Sequence, residues 1–215
     1  MPVFAARVLR HIGVQGVIKM SKNSTQVTLT RTAKNGNGKV QSNGKTSPST
    51  TPRQLATPTD FNTEDVRAIA EAVNPIIADS FALYLKTKNF HWHMSGSHFR
   101  DYHLLLDEQA ESIFASIDDL AECIRKIGGT TLRSISHVSQ LQTIDDDNAD
   151  FVAPGDMIAR LLDDNRKMAK AQREALKLAD DKGDAPTSDL LQQILNEAER
   201  RIWFLFEITQ GENNT

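Results

Sequence analysis

Five side chains have the types and spacing to do chemistry together: His91, His103, Asp107, Asp118 and Glu122. His103 and Asp107 stand four apart, as do Asp118 and Glu122, so on a helix each pair shares one face. From Asp107 to Asp118 is eleven residues, close to three full turns, so the two faces coincide to within roughly 20°. Those turns also put about 16 Å of helix axis between the pairs, too far for one metal centre to use both. The pairs are symmetric about the point between Ser112 and Ile113. Two copies of the helix, antiparallel across a two-fold axis there, would set His103 and Asp107 of one against Glu122 and Asp118 of the other. Two equivalent sites follow. His91, just before a turn at Gly96, can reach round to complete each one.

Imidazole with carboxylate suits a borderline divalent ion such as Fe(II), Mn(II) or Zn(II). The single cysteine, Cys123, excludes a cysteine-cage site and an internal disulfide. A di-iron site within one bundle uses Glu-x-x-His motifs. None occurs: three residues before the six histidines stand Val8, Lys88, Phe90, Ser95, Arg100 and Ser134. The spacing therefore favours a site shared between chains, with ordinary surface pairs on one helix as the plainer alternative. His93, His98 and His137 read as surface or packing residues.

These donors need helices to hold them. The first is expected from about Glu64 to His91, capped by Thr63, with Ile69, Val73, Ile76, Ile77, Phe81 and Leu85 facing a core. Pro75 interrupts it and predicts a kink or a frayed first half. Past Ser95-Gly96-Ser97, a second helix runs from about Phe99 to Ile127, burying Tyr102, Leu106, Ile113, Ile117, Leu120 and Ile124, and stops at Gly128-Gly129. A short helix fits 132–141. Pro154 opens a third long helix, to about Ala179, and the last spans about Ser188 to Gln210. Nothing alternates with a strand's period of two. The expected fold is an all-α four-helix bundle over 60–215, with a short extra helix between the second and third helices.

Ahead of it the composition changes. The chain has 215 residues, 39% of them apolar, and a net charge of −3. Residues 1–59 hold nine of the 25 basic residues and no acidic one, so the body sets sixteen basic against 28 acidic residues, a charge of −12. The stretch 21–59, rich in Ser, Thr, Asn, Gly and Pro, cannot bury enough apolar surface to offset its ordering entropy and is expected to be a disordered basic arm. Lys22, Arg31, Lys34, Lys39 and Lys45 suit non-specific contact with DNA phosphates; a solvated linker is the bland alternative. Residues 1–20 are apolar and basic, matching either a targeting segment or an over-called start before Met20. No apolar run reads as long enough to span a membrane.

Lys86-Thr87-Lys88-Asn89-Phe90-His91-Trp92-His93-Met94-Ser95-Gly96, followed by Phe99, His103, Leu106-Asp107-Glu108 and Asp118-x-x-Ala121-Glu122, resembles the Dps family of mini-ferritins over about residues 60–210. Ala198-Glu199-Arg200-Arg201-Ile202-Trp203-Phe204-Leu205 resembles that family's last helix. The resemblance implies ferroxidase ligands His91, His103 and Asp107 from one subunit and Asp118 and Glu122 from its two-fold mate. It places Trp92 beside the iron, with core packing as the alternative role. It implies a hollow dodecamer that oxidises Fe(II), preferably with hydrogen peroxide, stores ferric mineral and protects DNA, as a cytoplasmic, nucleoid-associated protein. Asp180, Asp181, Asp184 and Asp189 match the family's acidic pores, and Asp145-Asp146-Asp147 is a second acidic run. Two alternatives share these residues: a structural nucleoid protein without catalysis, and a cage sequestering divalent metal such as zinc.

Overall fold

A computed structural model describes residues 52–211 and, among them, five α-helices and no strand: α1 (Thr63–His93), α2 (Phe99–Lys126), α3 (Ile135–Leu141), α4 (Pro154–Asp181) and α5 (Ala185–Gly211). The four long helices form the bundle: α1 packs on α2, α4 on α5, and α1–α4 and α2–α5 contacts close it. A turn joins α1 to α2 and another joins α4 to α5, while residues 127–153, which include α3, make the one long crossover.

Local chemistry sets each boundary. Asn62, not Thr63, caps α1: its Oδ1 accepts from Glu64 N at 3.0 Å and Asp65 N at 2.9 Å. An amide oxygen at the position before the first turn satisfies two of the helix's orphan N–H groups. The fraying expected ahead of Pro75 does not occur, and α1 is continuous through it. Proline removes a single hydrogen bond, while Ile69, Val73, Ile76 and Ile77 on both sides of it are buried and hold the helix in place. α2 ends in a Schellman turn: Gly129 N donates to Ile124 O (2.9 Å) and Gly128 N to Arg125 O (3.1 Å), with Gly128 at φ +89°. α4 ends the same way, Asp184 N on Ala179 O and Gly183 N on Asp180 O. α5 begins at Ala185, ahead of the expected Ser188, because the Asp184 carboxylate accepts from Thr187 N (3.2 Å).

The core runs the length of the bundle, with Leu83, Phe90, Leu106, Ile113, Leu120, Ile124, Ile158, Leu161 and Leu191 buried. Leu85 departs from its expected inward place: it is 58% exposed, and the neighbouring turn is filled by Leu83 and by Lys86. α1 is also more apolar than expected, since an 18-residue window reaches a mean hydropathy of 1.3, enough by length and composition for a membrane span. Most of its apolar residues fill the bundle core or pack against it.

Two polar devices lock the crossover and the interior. Asp79 on α1 receives Thr143 N (2.5 Å), Thr143 Oγ1 (2.7 Å) and Ile144 N (3.0 Å), pinning the chain after α3. Lys86 on α1 pairs with Asp164 on α4 at 2.6 Å, both side chains buried.

Residues 52–59, expected as part of the disordered arm, are ordered. Arg53–Leu55 form a 3-10 turn, Arg125 Nη2 donates to Leu55 O (2.7 Å) and Thr57 Oγ1 donates to Arg125 O (3.0 Å). The helix-terminal carbonyl and guanidinium of Arg125 thus supply backbone partners that the apolar content of the segment does not announce. Lys22, Arg31, Lys34, Lys39 and Lys45 lie outside the described residues, as does 1–20.

Candidate metal centre

The C-terminal end of α1 carries His91 and the first turns of α2 carry His103. Gly96, at φ +95°, lets the chain reverse between them. The two imidazoles stack with ring centroids 3.7 Å apart and planes 19° from parallel. Each is held by the other's backbone: His91 Nδ1 lies 2.7 Å from His103 O, and His103 Nδ1 lies 2.9 Å from His91 O. A carbonyl only accepts, so each Nδ1 carries the proton and each Nε2 presents a lone pair. Backbone carbonyls that fix tautomer and ring orientation are what metal-ligating histidines use. Phe99 covers the other face of His103 at 5.0 Å.

Asp107, one turn beyond His103, brings its carboxylate to the same place, 3.9 Å from His91 Nε2. Lys88 on α1 hydrogen-bonds its Oδ1. That ammonium holds the Asp107 carboxyl below the usual carboxylate range, and the carboxylate in turn raises Lys88. A cation already sits on this oxygen, and the carboxylate remains ionised and able to bind another. Lys88 is the residue that sequence reasoning missed. Its signal was present in its position three before His91, where the other type of di-iron centre carries Glu.

Asp118 and Glu122 are not brought to this group within one protomer. Both are exposed on α2, and Lys126 lies 3.5 Å from Glu122 Oε2. Among the described residues, no set of three His, Cys, Asp or Glu closes into a metal-binding cluster in one chain. Asp118 instead edges an apolar groove of about 700 Å³ that also takes in Phe81, Phe114, Ile117, Leu132 and Ile135. Phe114 and Ile135 are 53% and 77% exposed there. Asp118 thus lines an open apolar face with Glu122 exposed one turn on, and the other three donors lie together about three turns away on the same side of α2.

Trp92 is 59% exposed, so core packing is not its role. His93 bonds its own helix through Asn89 O (2.8 Å), His98 is exposed beside Tyr102, and His137 sits at the start of α3, all as expected of surface or packing residues. Of the acidic residues before α5, Asp184 is buried as a helix cap and Asp180 accepts from Ser188 Oγ. Asp181 and Asp189 remain exposed. In the second run, Asp147 is held by Arg160 at 2.6 Å.

A family model for a ferritin-like domain matches residues 70–212. An uncharacterized low temperature-induced protein of Nostoc sp. is 30% identical over 150 residues, 69% of this chain and 84% of that protein. DNA protection during starvation protein 1 of Deinococcus radiodurans is 28% identical over 149 residues, 69% of this chain and 72% of its own length. Among solved structures, the Dps protein of Vibrio cholerae O1, described as a member of a broad superfamily of ferritin-like diiron-carboxylate proteins, superposes with a TM-score of 0.66 at 27% identity, covering 71% of this chain and 96% of that one.

Proposed function

This chain belongs to the Dps family of ferritin-like proteins, and on that premise we propose that it sequesters iron and protects DNA as a ferroxidase whose sites lie between two-fold-related subunits. The observation that carries the reading is the stacked His91–His103 pair, each ring fixed through Nδ1, with His91 Nε2 3.9 Å from an ionised Asp107. Asp118 and Glu122 of the mate complete the donor set when α2 packs antiparallel on its copy across the Phe114–Ile135 groove. Burial of that exposed apolar surface drives the pairing.

Fe(II) is the substrate. Anionic carboxylates favour Fe(III) over Fe(II), and a donor set of two imidazoles and three carboxylates leaves positions for an oxidant. Two Fe(II) ions each give one electron to one hydrogen peroxide, which takes up two protons and leaves as two waters. Delivering both electrons together avoids release of a hydroxyl radical. The ferric product is stored as mineral in a dodecameric cage, and Asp181 and Asp189 are the acidic side chains of that corner exposed to concentrate cations at its openings. DNA contact falls to the basic arm, because a body of charge −12 repels phosphate, and twelve arms on one particle act multivalently. The setting is cytoplasmic and nucleoid-associated.

The test is anaerobic Fe(II) loading of the full chain followed by peroxide, with particle mass and DNA retardation measured on the same sample. Ferric product, a dodecameric mass and DNA binding that weakens steeply with salt are expected. A chain lacking residues 1–51, which keeps the 52–59 clamp on Arg125, should oxidise iron at the unmodified rate and lose DNA retardation. A monomer without ferric product, or full DNA affinity in the truncated chain, contradicts the proposal.

A further inference from the structure

Opposite the metal-binding side of α2 lies a second polar site. Ser112 stands roughly 140–180° round the helix from His103 and Asp107 at about 100° per residue, so the two sites use different faces. There α2 and α5 enclose a cavity of about 130 Å³ bordered by Glu108, Gln109, Ser112, Glu197, Arg200 and Arg201. Several waters or one small ion fit a volume of that order.

Arg201 reaches into the bundle and is 6% exposed. Its Nε donates to Asn165 Oδ1 (2.8 Å) and its Nη1 to Ser112 Oγ (3.1 Å), both neutral partners. A guanidinium has five N–H donors, so most of its capacity is left over. None of the ion pairs among the described residues includes it; Glu197 acts only at longer range. Burial pushes Arg201 down to about 10, with Glu197 opposing that shift. Beside it Gln109, 5% exposed, has an Nε2 that is buried without any hydrogen-bond partner. A buried cation lacking a counter-ion and a buried amide lacking an acceptor are each costly, and both border the same cavity. One acceptor-rich anion satisfies both.

The cavity is also bordered by two carboxylates, the exposed Glu108 and the half-buried Glu197, and by the exposed Arg200. These select among anions. Glu accepts hydrogen bonds and repels bare negative charge, so the fitting ligand has P–O⁻ groups for Arg201 and Gln109 and a P–OH group to donate to Glu. We infer that this cavity is a binding site for free orthophosphate. Sulfate, which has no proton to give at neutral pH, and phosphodiesters, which have none either, are excluded by the same carboxylates.

The site is independent of the metal centre, so iron-free, full-length protein serves for the test. Equilibrium dialysis against radiolabelled orthophosphate at constant ionic strength should show saturable binding of about one phosphate per chain above the non-saturating background of the basic arm. Gln109→Leu and Arg201→Gln should each weaken it at least about ten-fold, the loss expected for a hydrogen bond to a charged group. A ten-fold excess of sulfate should leave it in place. Should Arg201→Gln fail to assemble, Gln109→Leu, which leaves the buried cation untouched, decides the matter. Absence of a saturable component, unchanged affinity in Gln109→Leu, or displacement by sulfate as readily as by phosphate overturns the inference.

Discussion

A chain carrying both His103→Ala and Asp118→Ala will lose peroxide-dependent Fe(II) oxidation by more than about 100-fold while assembling as the unmodified protein does. Loss of an outer-shell partner alone typically costs about 10–100-fold in metal affinity or activity, and this variant removes a direct donor from each half of the site. The fold has little to lose. Asp118 is exposed and makes no ion pair among the described residues, and truncating His103 forfeits a hydrogen bond to His91 O, worth about 1 kcal/mol. Asp118→Ala changes only the polar edge of the Phe114–Ile135 groove and leaves its apolar lining in place. Absorbance of the ferric product after peroxide addition reads the activity, and light scattering of the same sample reads the assembly. Oxidation at the unmodified rate would remove both residues from the centre.

Asp164→Ala will destabilise the bundle by about 3–5 kcal/mol, the cost of leaving a buried charge without its partner. Lys86 has Asp164 as its ion-pair partner at 2.6 Å, and its side chain is 8% exposed, so it cannot turn to water. Lys167 Nζ, 3.8 Å from both Asp164 Oδ1 and Asp145 Oδ2 and half exposed, keeps Asp145 and water and adds little to the loss. The double change Lys86→Met with Asp164→Leu removes charge and partner together and should recover most of the loss, because apolar replacements of a buried pair are often neutral or better. Urea midpoints at one fixed protein concentration provide the comparison, since assembly links stability to concentration. A loss below about 1 kcal/mol in the single variant would mean the pair is solvated and carries no such weight.

Much of this architecture was legible in residue order. Helical periodicity located all five helices, and the paired glycines at 128–129 and the Pro154 start marked boundaries that the Schellman turn and the helix N-terminus now explain. The pairing of His91, His103 and Asp107 was legible too, because a tight turn must bring the end of one helix onto the start of the next. What could not be read was every feature that depends on long-range partners. The order in 52–59 comes from Arg125, some seventy residues on. Asp79 holds a loop 64 residues away. Asp184 looked like pore chemistry because its own neighbours are acidic, whereas burial against the bundle makes it a cap. Lys88 was noted only as a missing glutamate, since its pairing with Asp107 joins two helices. Arg201, buried without a counter-ion, and the unsatisfied Gln109 amide had no sequence signal at all.

The shared centre has a signature that no site confined to one chain can imitate. Subunits bearing only His103→Ala and subunits bearing only Asp118→Ala each form inactive particles. In a mixed dimer both lesions fall in one site, and the other site is assembled from the unaltered His103 of one chain and the unaltered Asp118 of its mate. With random pairing of equal amounts, half the dimers are mixed and half of their sites are intact, so co-assembled particles should recover about one quarter of the unmodified activity. Stopped-flow oxidation of Fe(II) by peroxide on the co-assembled material, set against a mixture of the two separately assembled proteins, measures this directly. Recovery near one quarter in the first and none in the second is the predicted result; no recovery in the co-assembled particles would contradict a centre built by two chains.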